Sequence, residues 1–292
     1  MTMAKLRKKI IEDAVVELIR KAVVELPEDV EEALRMARGG EESAIASSQL
    51  DAILENVRLA KKKWAPMCQD TGTITFFVEC GRDFPFRREL EGALVSAVRR
   101  ATEEVPLRPN AVDVFTGKNS GDNTGAGIPA INWLLVNGDE CRIIVFPKGA
   151  GSENMSALAM LQPGEGIEGV KKFVVEKVRA MGGKPCPPTI VGVGIGGGAD
   201  VAMKLAKKSL LRKLGEPNKN GSAAALEKEL KGKINALGIG PMGLGGNTTC
   251  LAVHVEAAHR HPASLPIGLV VQCWADRRAS MTIDAEGGAR FE

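Results

Sequence analysis

Histidine is scarce in this chain of 292 residues, with three in all, and two of them, His259 and His261, share one short stretch. Too few imidazoles are present, too close together, for a zinc site built on histidine. The six cysteines (68, 80, 141, 186, 250 and 273) include no CxxC pair and no tight disulfide framework. Reduced thiols are therefore expected, free to bind metal or simply to pack. No apolar run approaches the length that spans a bilayer, so no membrane role is indicated. Charge of one sign is also missing: 39 Lys and Arg against 36 Asp and Glu leave a net +3, with the basic residues scattered apart from short clusters such as Lys61-Lys62-Lys63. That balance carries no nucleic-acid footprint. There is no GxSxG elbow, no Walker lysine followed by Ser or Thr, no low-complexity segment and no internal sequence repeat. Met1 to Arg7 is basic, but Glu12, Asp13 and Glu17 follow at once and no small-residue cleavage site closes an apolar core, so a cytoplasmic protein without a leader is expected.

What is present is an ordinary globular composition, 44% hydrophobic and 26% charged. Apolar residues recur at helical spacing from Lys5 to Val24 (Leu6, Ile10, Ala14, Val15, Leu18, Ile19, Val23), again from Glu28 to Ala37, and again from Glu42 to Lys63. The period changes at Cys68. Ile74 to Cys80 reads as a strand, Arg87 to Glu104 as a helix, and Ile131–Val136 with Cys141–Phe146 as a hairpin, because Asn137-Gly138 accepts positive φ. Further helices are expected over Glu168–Met181, Val201–Leu214 and Ala223–Leu237, a strand running into a glycine turn over Thr189–Asp200, and strands over Thr249–Glu256 and Ile267–Cys273. The expected fold is mixed α and β. One domain over residues 1–292 is anticipated, with residues 1–64 a mainly helical layer on a central sheet.

Chemistry is concentrated in a few stretches. Met67-Cys68-Gln69-Asp70-Thr71-Gly72-Thr73 packs a thiol, an amide, a carboxylate and two hydroxyls before an apolar strand, where buried polar groups would each need a partner. It reads as active-site lining. Lys148-Gly149-Ala150-Gly151-Ser152-Glu153-Asn154 offers flexible backbone N–H groups and a cation to an anion. Three prolines around Cys186 hold that thiol on a stiff, non-helical segment. Gly192, Gly194 and Gly197 match GxGxxG between a strand and a helix, yet no acidic residue ends a following strand; close helix–strand packing, or a helix N-terminus facing a carboxylate, explains the glycines as well as a dinucleotide does. His261, beside Pro262, reads as either an acid–base group or a surface residue.

Taken in order from Pro66 to Arg278, Cys68-Gln69-Asp70-Thr71-Gly72, Lys148 to Asn154, Cys186-Pro187-Pro188 with Gly192 to Gly197, Ile239-Gly240-Pro241-Met242-Gly243-Leu244-Gly245-Gly246 and Cys273-Trp274-Ala275-Asp276-Arg277-Arg278 resemble the class I iron–sulfur fumarate hydratases and L-tartrate dehydratases. The match is to the separate alpha subunit, equivalent to the N-terminal part of the longer single-chain enzymes. The resemblance implies a 4Fe-4S cluster on Cys68, Cys186 and Cys273, with Cys250, Cys80 and Cys141 left to the core. It implies that Gln69 and Arg108 hold substrate oxygens, that Gly151 offers a backbone contact, and that Asp70 and His261 form an acid–base pair. A Thr base and further basic residues lie, in the family, in the part this chain lacks, so a beta subunit is the expected partner and a dicarboxylate the expected substrate. Lys148 to Asn154 looks fumarase-like, whereas Cys273-Trp274 and Asn123 to Pro129 lean toward the tartrate dehydratases; (S)-malate and fumarate are favoured here. The remaining readings are a dinucleotide-binding protein and a non-enzymatic cluster scaffold or oxygen sensor.

Overall fold

The structure, a computed structural model, describes residues 3–292. Met1 and Thr2 lie outside the described residues, as do the side chains of residues 3–7, among them Leu6 of the first apolar stripe and the basic side chains of Lys5 and Arg7. In chain order the helices are α1 (Met3–Val24), α2 (Glu28–Gly39), α3 (Ala44–Lys63), α4 (Arg87–Glu104), α5 (Ala150–Glu153), α6 (Gly166–Met181), α7 (Ala199–Ser209) and α8 (Gly221–Asn235). The strands are β1 (Thr73–Gly81), β2 (Ala130–Val136), β3 (Cys141–Lys148), β4 (Ala157–Leu161), β5 (Thr189–Gly197), β6 (Cys250–Arg260), β7 (Leu265–Gln272), β8 (Ala279–Ile283) and β9 (Ala289–Phe291). Among the described residues no helix is long and apolar enough to cross a membrane.

The fold is mixed α and β, as expected, but the described strands form two sheets instead of one central sheet, each with its own apolar core. Unit 1 comprises residues 1–27, 57–150 and 277–292; unit 2 comprises residues 28–56 and 151–276. The expected N-terminal helical layer is thus shared out. The α1 helix belongs to unit 1, while α2 and residues 44–56 group with unit 2.

In unit 1 the sheet order is β2-β1-β3-β8-β9. Helices α1 and α4 pack together, and their stripes, Val15, Leu18, Ile19 and Ala22 on α1 with Leu90, Leu94, Ala97 and Ala101 on α4, are buried in the core with Ile74, Phe76 and Val78 of β1. Each Val, Leu, Ile or Phe among them removed from water contributes on the order of 1.5–3 kcal/mol, which is why the 3.6-residue stripe decides the helix face. The expected β2–β3 hairpin does not form. Strand β1 lies between them, parallel to β2 and antiparallel to β3. Residues 137–140 cross over the end of β1, where Gly81 N donates to Glu140 O, Arg82 N to Val136 O and Asp83 N to Gly138 O. A Cβ on Gly81 would stand 2.3 Å from the Gly138 oxygen, so the crossing needs that glycine. The reason is burial: β1 is largely buried on both faces and takes a central place, whereas β2 leaves Trp133, Leu134 and Leu135 exposed at the edge.

In unit 2 the order is β4-β7-β5-β6, with β5 parallel to β6 and antiparallel to β7. The GxGxxG glycines are used for packing. A Cβ on Gly192 would meet Ala206 O at 2.2 Å, and one on Gly194 would meet Ala202 O at 2.0 Å, so α7 lies directly on β5.

Candidate active site

Unit 1 presents the Cys68 stretch at the entry to β1. Cys68, Gln69, Thr71, Leu107 and Arg108 line a cavity of about 340 Å³, with Gln69 and Arg108 exposed and Thr71 buried. The volume is that of a small-molecule site. Its walls are tied together by hydrogen bonds that reach across the chain. Thr71 Oγ1 accepts from Arg108 N at 3.0 Å. Asn123, buried and at φ +59°, accepts from Asn110 N through Oδ1 at 2.6 Å and donates through Nδ2 to Arg108 O at 3.1 Å and Thr102 Oγ1 at 3.0 Å. Asparagine tolerates the left-handed region better than most residues, so one side chain turns the loop and anchors it. Arg108 is therefore exposed but held at its backbone.

Asp70 is the second junction. Its Oδ1 accepts from Gly72 N at 3.0 Å and Asn110 Nδ2 at 3.3 Å, its Oδ2 accepts from Ala150 N at 2.8 Å, and its carbonyl accepts from the buried Arg277 Nη1 at 2.9 Å. The glycine loop expected to hold an anion thus donates to a carboxylate of its own chain. Gly149 permits the approach, since a Cβ there would stand 3.0 Å from Asp70 Oδ2, and Lys148 is buried. Gly72, at φ +83°, passes so near Lys148 that a Cβ would meet its backbone at 2.7 Å.

Unit 2 carries the other two motif cysteines on segments that touch. Cys186, at φ +54°, donates its N–H to Gly183 O at 3.1 Å and accepts from Trp274 N at 3.2 Å, so the segment beginning at Cys273 is hydrogen-bonded to the proline-flanked one. Met242 N donates to Pro187 O at 2.8 Å, which brings the Gly240–Gly243 turn to the same place. Gly151 is exposed, with Lys184 O 3.4 Å from where a Cβ would stand. His261 is exposed in the β6–β7 loop, where its Nδ1 accepts from Ala263 N at 3.1 Å and Arg260 Nη1 donates to the carbonyls of His261, Pro262 and Ser264. An accepting Nδ1 puts the proton of the neutral ring on Nε2. His254 is buried, its Nδ1 3.0 Å from Ser209 O.

Burial sorts the six free cysteines into two sets. Cys68, Cys186 and Cys273 are partly exposed, and Cys80, Cys141 and Cys250 are buried. Burial pushes the Cys250 thiol up to about 12 and raises those of Cys80 and Cys141 too, the latter also through the thiol of Cys80. Buried thiols resist forming the thiolate that binds metal. Among the described residues no three His, Cys, Asp or Glu side chains converge on one point as ligands of a single ion. Ligands of a four-iron cluster bind separate irons, so the partly exposed thiols on loops suit one by their chemistry.

The sequence alone assigns no individual role to Asn110, Asn123 or Arg277, although each lies in a stretch it singles out, because their partners lie far along the chain. The one local signal was Asn123, a residue tolerant of positive φ inside a polar loop.

These features describe a mixed α/β protein with an anchored, small-molecule-sized cleft beside one of three accessible loop thiols. The fumarate hydratase (Fumerase) family profile matches residues 12–282. Among curated proteins, the chain is 53% identical over 273 residues, 92% of this chain and 96% of the other, to a Methanocaldococcus jannaschii protein provisionally named L(+)-tartrate dehydratase subunit alpha. It is 40% identical over 262 residues, 89% of this chain and 86% of the other, to the L(+)-tartrate dehydratase subunit alpha of Escherichia coli UTI89. The same coverage at 39% identity relates it to the protein of that name in Shigella sonnei Ss046. The chain belongs to the fumarate hydratase family.

Proposed function

We propose that this chain is the alpha subunit of a 4Fe-4S-dependent hydro-lyase that removes water from a four-carbon 2-hydroxy dicarboxylate, acting as one functional unit over residues 1–292 together with a beta subunit in the cytoplasm. The observation that carries the reading is the sorting of six free thiols into three buried and three partly exposed, the latter being the three motif cysteines. Cys68, Cys186 and Cys273 would hold the cluster, which, with three thiolates for four irons, supplies an open Lewis-acidic site that makes hydroxide a better leaving group. Arg108 offers its fork to two oxygens of a carboxylate, and its anchored backbone fixes where that fork is hinged. Gln69 lines the same cavity and can donate and accept at once. His261 carries a proton on Nε2 in its neutral form and is suited to hand it to departing hydroxide. The three N–H groups on the Asp70 carboxylate support a positioning role beside the acid–base role that the family resemblance implies. Gly151 would offer its exposed N–H to substrate.

Relatives at 39–53% identity carry tartrate dehydratase names, which favours L(+)-tartrate as substrate; the family description supports (S)-malate and fumarate as the second reading. The test is anaerobic reconstitution with iron and sulfide, then dehydration of L(+)-tartrate and (S)-malate side by side, with and without a co-expressed beta subunit. Turnover of one acid by the pair supports the proposal and picks the substrate. A reconstituted pair inert toward both sinks it. Cys273→Ser is expected to lose iron while Cys250→Ser retains it.

A further inference from the structure

Two thiols outside the candidate active site face each other across the sheet of unit 1. Cys80 lies near the end of β1 and Cys141 begins β3, and the antiparallel register sets them directly opposite. Gly81 N donates to Glu140 O at 2.9 Å, so Gly81 and Glu140 form the hydrogen-bonded pair and Cys80 and Cys141 the neighbouring non-hydrogen-bonded one. In that position Cα atoms stand ~4.5 Å apart with both side chains on one face, inside the ~4.4–6.8 Å that a disulfide spans. Closing an S–S bond there calls for side-chain rotation, with the strands left in place.

We propose that Cys80 and Cys141 form a cross-strand dithiol that a low-molecular-weight disulfide converts into an intrachain disulfide. One thiolate attacks the small disulfide, expelling a thiol and leaving a mixed disulfide. The second protein sulfur attacks that bond and releases the other thiol. Two S–H bonds are lost and one S–S bond is gained in the protein, and both electrons and both protons end on the two small thiols. Both cysteines are fully buried, so the reagent enters through opening of the exposed 137–140 crossing. Burial also keeps the thiols protonated, and the exchange is slow. The pair lies at the opposite end of β1 from Cys68, Asp70 and Gly72, so the bond would staple β1 to β3 without altering the cleft.

The test takes the full chain, reduced, with its exposed thiols alkylated in the folded state by iodoacetamide, and incubates it with oxidised glutathione. Mapping without reduction is expected to recover one peptide pair joined through Cys80 and Cys141, with no glutathione retained on either. The Tm is expected to rise by ~5–10 °C, since the bond closes a long loop. Cys80→Ala and Cys141→Ala should each give no joined pair and no rise, and either one suffices should the other fail to fold. Recovery of both thiols free after prolonged incubation of the folded wild-type chain overturns the proposal. So does recovery of two separate glutathione adducts, or of a link formed only on unfolding.

Discussion

Asn123, itself buried, combines a left-handed backbone with hydrogen bonds to Asn110, Arg108 and Thr102. Asn123→Ala would remove these three hydrogen bonds and leave Asn110 N without the acceptor it has here, at a cost of ~2–3 kcal/mol. A urea midpoint lowered to match is the expected result, together with a raised KM, because Arg108 loses one of its two anchors while Thr71 keeps the other. An unchanged midpoint would show that the loop holds itself. Cys250 gives a pH signature. Burial raises its thiol from 9.0 to about 12, against the pull of Lys231. The unfolded chain ionises this thiol near its ordinary value while the folded chain keeps the proton, so unfolding releases a proton between those two values and stability falls as pH rises through that window. Below it the contribution is complete. Thermal unfolding from pH 9 to pH 12 should therefore cost the wild type more Tm than Cys250→Ala, which starts lower; equal slopes would refute the assignment.

At the scale of elements, the glycines of β5 decide whether α7 can lie on its sheet. Gly194→Ala puts a methyl 2.0 Å from Ala202 O, a contact that only a shift of the helix relieves. The expected loss is ~3 kcal/mol or more, whereas Gly164→Ala, with nothing within 4 Å, should stay within ~0.5 kcal/mol of wild type. Equal stability of the two variants in chemical denaturation would mean that α7 is not seated as described. The two sheets also share a plan. In each, a strand leads through helix to a parallel neighbour, and the next strand returns on the far side, giving β2-β1-β3 and β6-β5-β7. No sequence repeat accompanies it, because sheet topology follows burial pattern and not residue identity.

For the whole molecule, the relatives named as alpha subunits support a division of labour between two chains. The reconstituted chain alone is expected to retain iron yet turn over dicarboxylate at less than ~1% of the rate of the pair, since removing groups that act only in the transition state costs that much or more. Full activity of the isolated chain, measured by loss of substrate under anaerobic conditions, would end the partner requirement.

The sequence by itself determined what depends on near neighbours: the helical stripes of α1 and α4, the apolar run of β1, and the stretches around Cys68, Cys186 and Cys273 whose order marks the family. Periodicity and motif spacing are local, and each survives whatever the rest of the chain does. Only the tertiary structure decided that β1 parts β2 from β3, that Ala150 N donates to Asp70, and that Asn123 holds Arg108. Those outcomes join residues tens of positions apart. They are set by which apolar faces must leave water and which polar groups must then find partners, and neither is written in any short window of the chain.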